Sequence, residues 1–103
     1  MKHQLNIKNE HLIIVKNILK QHITDAVTIW LFGSRVTNNS KPYSDLDIAL
    51  EDKTNHRIDL KTLTKIQSDF IESDLPWKVD VIDYDSTSGI FRDNINLCKI
   101  ELK

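Results

Sequence analysis

Three aspartates in the sequence, Asp45, Asp47 and Asp80, have the type and spacing needed to hold metal ions. Asp45 and Asp47 are two residues apart in a segment with strand-like alternation, so both side chains leave one face of that strand. Two carboxylates this close repel each other, and a cation between them removes the repulsion. Because hard oxygen ligands on a rigid strand suit Mg²⁺ or Mn²⁺, the pair predicts a metal site.

A turn at Gly33 and Ser34 ends the apolar run that precedes the aspartate pair. Glycine lets backbone approach a ligand closely, and the N–H groups of a turn that enters a helix point at anions. Ser34 adds a hydroxyl donor. The sequence therefore predicts a phosphate-binding turn and a metal-binding pair on consecutive strands.

Asp80 supplies a third carboxylate if the sheet brings it beside Asp47. Its neighbours Val79 and Val81 share one face of a predicted strand, which leaves Asp80 on the other. Asp83 is a rival ligand, but its odd spacing from Asp80 turns it to the opposite face. Three carboxylates and a phosphate turn are the parts that two-metal phosphoryl transfer needs, because the ions neutralise phosphates, activate a hydroxyl and stabilise leaving pyrophosphate.

The elements that must position these residues alternate between helix and strand. Apolar periodicity predicts three strands, over Val27–Phe32, Leu46–Glu51 and Lys78–Tyr84. It also predicts a helix over Asn9–His22, with Asn9 as its cap, and a second helix over Asp59–Ser73. A final helix is predicted to begin with Ser86 or Thr87 as its cap and to carry the apolar stripe Phe91, Ile95, Cys98 and Leu102. The first two strands are joined by only a loop, which favours an antiparallel pair. The expected fold is an α/β domain with a small mixed sheet flanked by helices.

Length and composition restrict the function. The 103 residues correspond to one domain over residues 1–103, and the net charge of −1 argues against direct nucleic-acid binding as the main task. Cys98 is the single cysteine, so neither a disulfide nor a cysteine zinc cluster is expected. The apolar runs are too short for a membrane span, and a cytoplasmic location is the default expectation.

The spacing of these motifs resembles a known signature. Gly33-Ser34, ten residues and then Asp45-Leu46-Asp47 is similar to the GS-x(10)-DxD pattern of the polymerase-β-like nucleotidyltransferases. The fuller match covers residues 32–36, 43–49 and 76–81. Over nearly its whole length the chain resembles the minimal nucleotidyltransferases encoded beside HEPN-domain proteins, which implies the polymerase-β-like nucleotidyltransferase fold.

The resemblance implies a role for each aspartate. Asp45 and Asp47 would bind two Mg²⁺ ions, with Mn²⁺ as a substitute. Asp80 would bind the catalytic ion and help to accept the proton of the attacking group.

It also implies a nucleotide-binding set. Gly33 and Ser34 would hold the β and γ phosphates of ATP, and Arg35 would assist them. One departure is visible, since many members carry a glycine where this chain has Asn38 and Asn39. Asparagine tolerates left-handed backbone, so the loop can still turn there.

The activity implied by the resemblance is transfer of AMP from ATP to a tyrosine of a HEPN ribonuclease toxin. The chain would then be an antitoxin that forms a hetero-oligomer with that protein. Two alternatives remain open. One is a binding antitoxin that blocks its partner by contact, and the other is a nucleotidyltransferase for a small molecule such as an aminoglycoside, for which so short a chain lacks an acceptor-binding domain.

Overall fold

The computed structural model describes residues 5–37, 41 and 43–103. The predicted turn residues Asn38 and Asn39 lie outside the described residues. The helices and strands follow in the order α1 (Asn9–Lys20), β1 (Val27–Phe32), β2 (Leu46–Asp52), α2 (Leu60–Ile71), β3 (Val79–Asp83), a 3-10 turn (Tyr84–Ser86), α3 (Gly89–Cys98) and β4 (Ile100–Leu102).

The strands form one mixed sheet in the order β3-β2-β1-β4. β1 runs antiparallel to both β2 and β4, whereas β2 and β3 are parallel. Parallel neighbours need a crossover connection, and α2 supplies it. The predicted α/β class, the mixed sheet and the antiparallel pairing of the first two strands are confirmed.

Helices α1 and α2 cover one face of the sheet and enclose the main core. Alternate residues of β2 point into this core and are fully buried, namely Leu46, Ile48 and Leu50. They pack with fully buried side chains of the two helices, namely Val15 and Leu19 of α1 and Ile66 of α2. On the other face, Ala49 packs with Tyr84 and Ile95, under the 3-10 turn and α3. Because side chains alternate along a strand, Asp47 lies on the same face as Ala49.

The strand β4 was not predicted. Leu102 was assigned to the stripe of the last helix, but that helix ends at Cys98 and Lys99 already has extended backbone. Leu102 instead pairs with Ile29 on β1. A three-residue strand carries too little alternation to be recognised from sequence, and its existence depends on the free edge of β1.

Two predicted helix caps are also wrong. Asn9 is the first residue of α1, and the preceding Lys8 makes no side-chain capping bond. Ser86 belongs to the 3-10 turn and Thr87 follows it, so α3 begins only after Ser88. Within the described ranges, every helix is too short or too polar to cross a bilayer.

Helix α2 has a true side-chain cap that offers a stability test. The Asp59 carboxylate accepts a 2.7 Å hydrogen bond from the Thr62 backbone N–H, and this bond holds the pKa of Asp59 below its usual range. We expect Asp59→Ala to lower the melting temperature at neutral pH, and Asp59→Asn, which can still cap, to change it less.

The pH dependence of that difference has a definite sign. A lowered pKa in the folded state stabilises the fold above the unfolded value of about 3.9, and this contribution is lost as the pH falls through the folded pKa. The melting temperatures of wild type and Asp59→Ala should therefore become equal as the pH falls into the acid range. A constant difference down to the lowest pH would contradict the assignment.

Candidate metal and phosphate site

The parallel ladder between β2 and β3 brings two of the predicted metal ligands together. Asp47 is the direct strand partner of Asp80. On the other side of β2, Asp47 is paired with Phe32, the residue before Gly33. The ends of three neighbouring strands thus place the two carboxylates beside the predicted phosphate turn. Asp45 precedes β2 by one residue and is exposed, whereas Asp47 and Asp80 are half-buried.

The Asp47 carboxyl is electrostatically strained. Burial, and to a smaller extent the negative charges of Asp80 and Asp45, together raise its pKa to about 6. Each of these causes disfavours the ionised form. A divalent cation reverses both charge contributions, so the site is built to be more stable with positive charge than without it.

The donor set fits a hard divalent ion. All three predicted ligands are carboxylates, the ligand type that Mg²⁺ and Mn²⁺ prefer. Among the described residues, no three Asp, Glu, His or Cys side chains already converge as a closed metal-binding cluster. A cation held by all three carboxylates would need the exposed Asp45 side chain and Asp80 to approach Asp47, and its positive charge would offset their mutual repulsion.

Gly33 lies against the Asp47 carboxylate. Its φ is +85°, and a Cβ added there would stand 2.2 Å from the Asp47 Oδ2 atom. The turn that follows is closed by two backbone bonds, from Val36 N–H to the Gly33 carbonyl at 3.1 Å and from Thr37 N–H to the Ser34 carbonyl at 3.4 Å. Backbone conformation therefore favours glycine at this position, and any larger residue would also have to displace the carboxylate of Asp47, a predicted metal ligand.

Arg35 is held in place by the protein itself. The residue is 5% exposed. Its guanidinium donates to the Ser44 carbonyl at 2.8 Å and to the Asn6 carbonyl at 3.0 Å, and lies 4.5 Å from the ring centre of Trp77. Burial lowers the pKa of Arg35, while the charge of Asp45 opposes that shift. The structure thus gives Arg35 the task of fixing the backbone that leads into Asp45. A contact with phosphate stays a prediction.

The rival ligand Asp83 lies away from this cluster. It is paired with Leu50, three residues further along the ladder than Asp47, and is 4% exposed. The Ser86 hydroxyl donates to it at 2.7 Å. Asp83 therefore anchors the turn after β3, and the ladder selects Asp80 as the third carboxylate near Asp47.

One aromatic contact near the site was not foreseen. The sequence pattern places Phe91 in the apolar stripe of the last helix. In the structure it is 51% exposed, and its ring meets the ring of Phe32 edge to face at 6.2 Å. Phe91 therefore borders the surface beside the Gly33 turn. The sequence carries no signal for this contact, because it joins two elements that are far apart along the chain, β1 and α3.

The two glycines with positive φ provide a matched test of the Gly33 contact. Gly89 has φ +59°, and nothing lies within 4 Å of a Cβ added there. We expect Gly89→Ala to cost roughly 1 to 2 kcal/mol from backbone strain alone. Gly33→Ala should cost at least about 1 kcal/mol more, because its methyl group overlaps Asp47. Urea unfolding of both variants measures the difference, and equal losses would contradict the close approach.

Removing the charge of Asp47 should stabilise the fold. Since the folded pKa lies above the unfolded value of about 3.9, ionised Asp47 destabilises the protein above pH 6. A pKa difference of one corresponds to about 1.4 kcal/mol, and partial solvent contact reduces the effect, so Asp47→Asn should gain about 1–2 kcal/mol at pH 8.

This gain in stability should shrink as the pH falls from 6 to 4, because Asp47 of the folded wild-type protein then becomes protonated and is uncharged, like the Asn side chain of the variant. Chemical denaturation at several pH values without added metal measures it. A destabilised Asp47→Asn at pH 8 would show that the carboxylate has a structural role that this geometry does not reveal.

Comparison with known proteins agrees with the geometry. Residues 14–103 match the family model described as Polymerase beta, Nucleotidyltransferase. A probable protein adenylyltransferase, MntA of Haemophilus influenzae, is 47% identical over 92 residues, which are 89% of this chain and 78% of that protein.

Two solved structures have the same fold. A toxin–antitoxin crystallised with AMP-PNP is 26% identical, with a TM-score of 0.71 over 93% of this chain and 73% of that one. A mutant MntA–HpeT toxin–antitoxin is also 26% identical, with a TM-score of 0.67 over 94% of this chain and 73% of its own. With the paired carboxylates beside a glycine turn, these matches show that the chain is a nucleotidyltransferase of the polymerase-β family.

Proposed function

We propose that this chain uses Mg²⁺ to transfer AMP from ATP to a tyrosine of a HEPN-domain ribonuclease toxin, and that it acts as the antitoxin of that protein. The observation that carries the proposal is the direct pairing of Asp47 with Asp80, beside Gly33, where an added Cβ atom would overlap the Asp47 carboxylate. The 47% identity to a probable protein adenylyltransferase supports a protein acceptor. The likeness to a toxin–antitoxin crystallised with AMP-PNP supports an adenine nucleotide and a toxin partner.

In this proposal the aspartates hold the reacting groups in place. Asp45 and Asp47 bind both metal ions, and Asp80 binds the catalytic one. Bound Mg²⁺ neutralises the triphosphate and lowers the pKa of the attacking hydroxyl. The backbone of Gly33 and the hydroxyl of Ser34 hold the β and γ phosphates, so that the α phosphorus faces the acceptor.

The chemical step is an in-line displacement. The tyrosine oxygen forms a bond to the α phosphorus while the bond from that phosphorus to the bridging oxygen of pyrophosphate breaks. The tyrosine proton passes towards Asp80, and pyrophosphate leaves with the electron pair of the broken bond. The products are an AMP ester of tyrosine and pyrophosphate.

The surface of the chain suits a protein partner. Four large apolar side chains on α2 and α3 are more than two-thirds exposed, namely Leu60 (78%), Ile71 (73%), Ile90 (79%) and Leu97 (76%). Because α2 and α3 cover opposite faces of the sheet, each helix presents its own pair of exposed apolar side chains, and exposed apolar surface of this kind is a candidate for contact with another protein. A hetero-oligomer with the toxin would cover part of this surface.

The proposal predicts labelling of the partner. We would incubate the purified chain with Mg²⁺, α-labelled ATP and the HEPN protein encoded beside it, and look for an AMP adduct by mass spectrometry. Wild type should label one or more tyrosines. Asp45→Asn and Asp80→Asn should each reduce the rate by at least about a hundredfold, because each removes a metal ligand needed for charge stabilisation.

Asp74→Asn is the matched control, since Asp74 is an exposed acid in the loop after α2. It should label the partner at the wild-type rate. Absence of label together with a tight complex that silences the toxin would replace the proposal with a binding antitoxin. Absence of both label and complex would direct the search to small-molecule acceptors.

A further inference from the structure

Gln67 on α2 reaches the outer edge of β3. Its side-chain Nε2 donates to the Val79 carbonyl, and its Oε1 accepts a 3.1 Å hydrogen bond from the Val81 N–H. The residue between these two contacts is Asp80. The side-chain amide therefore spans the backbone on either side of a predicted metal ligand.

The position of β3 explains why this contact is needed. β3 is an edge strand with β2 on one side only. The Lys78 carbonyl accepts from Leu46 N–H at 2.9 Å, so the backbone groups of Lys78, and by alternation those of Asp80, face β2. The groups that Gln67 binds, on Val79 and Val81, face outward, where the described part of the chain forms no further strand.

A primary amide has the donor and acceptor of a peptide group, so Gln67 takes the place of one peptide of a missing strand. Its orientation is unambiguous, because a backbone carbonyl only accepts and a backbone N–H only donates. The strand backbone around Asp80 is consequently hydrogen-bonded on both of its edges. The β2 ladder fixes one side, and the Gln67 amide fixes the other.

We propose that Gln67 is a positioning residue that sets the place of the Asp80 carboxylate in the metal site. Metal ligands need to be held close to their productive geometry by the groups behind them. A shift of the Val79–Val81 backbone would move Asp80 away from Asp47, its partner across the ladder. The inference rests on the proposed function, in which Asp80 binds a metal ion.

The test compares two neighbouring residues of α2. Gln67→Met keeps length and helix propensity but removes both hydrogen bonds. Ile66→Val trims a fully buried core residue next to it and costs about 0.5–1.5 kcal/mol without touching the edge of β3. Mn²⁺ binding is followed by electron paramagnetic resonance with a saturating ATP analogue that is non-hydrolysable between the α and β phosphates. Asp80→Asn is the reference for loss of the ligand.

We expect Gln67→Met to weaken Mn²⁺ binding by about tenfold, the lower end of the effect of groups that support metal ligands. Ile66→Val should bind Mn²⁺ as wild type does, even where the two variants lose equal thermal stability. In the labelling assay, Gln67→Met should raise the Mg²⁺ concentration for half-maximal rate and approach the wild-type rate at high Mg²⁺.

Separate outcomes identify which idea fails. If Asp80→Asn weakens Mn²⁺ binding but Gln67→Met does not, Gln67 only satisfies the strand edge, and the positioning role is overturned while the proposed function stands. If Gln67→Met and Ile66→Val weaken binding equally, the effect is one of general stability, and the positioning role is again overturned. If Asp80→Asn binds Mn²⁺ as wild type does, the role of Asp80 in the proposed function fails, and the inference fails with it.

Discussion

The register between β2 and β3 is the constraint on which the site depends. It places Asp47 opposite Asp80, and a slip of one residue would send one of the two carboxylates into the core beneath α1 and α2. The register is fixed from the opposite face of the sheet, where Leu46, Ile48 and Leu50 are fully buried. Packing of apolar residues on one face of the sheet therefore brings charged residues together on the other face. There, burial and then the charge of Asp80 raise the pKa of Asp47.

The parts of the fold that sequence could predict are those governed by local pattern. Alternation identified the faces of β2 and β3, and the short connection between β1 and β2 indicated their antiparallel pairing. The same alternation separated Asp80 from Asp83. What the pattern missed depends on partners distant in the chain, as with β4, whose three residues form a strand only because β1 offers a free edge.

The contacts of Arg35 and Gln67 could not be predicted for the same reason. The family resemblance implies that Arg35 assists nucleotide binding, which stays a prediction, and only the folded chain shows its contacts with Asn6, Ser44 and the Trp77 ring. Gln67 is a polar residue beside the buried stripe of α2, and its sequence position gives no sign that it reaches β3. Side chains that support a site from behind have no spacing rule, since their distance along the chain from the residue they support is arbitrary.

The amide of Gln67 has a second consequence, for the behaviour of the protein in solution. An exposed strand edge is a template on which another molecule can add a strand, and such addition leads to aggregation. Here the outward carbonyl of Val79 and N–H of Val81 are already occupied, and they belong to the segment that carries Asp80. The two hydrogen bonds from Gln67 therefore also shield the outer edge of β3 from pairing with a strand of another molecule.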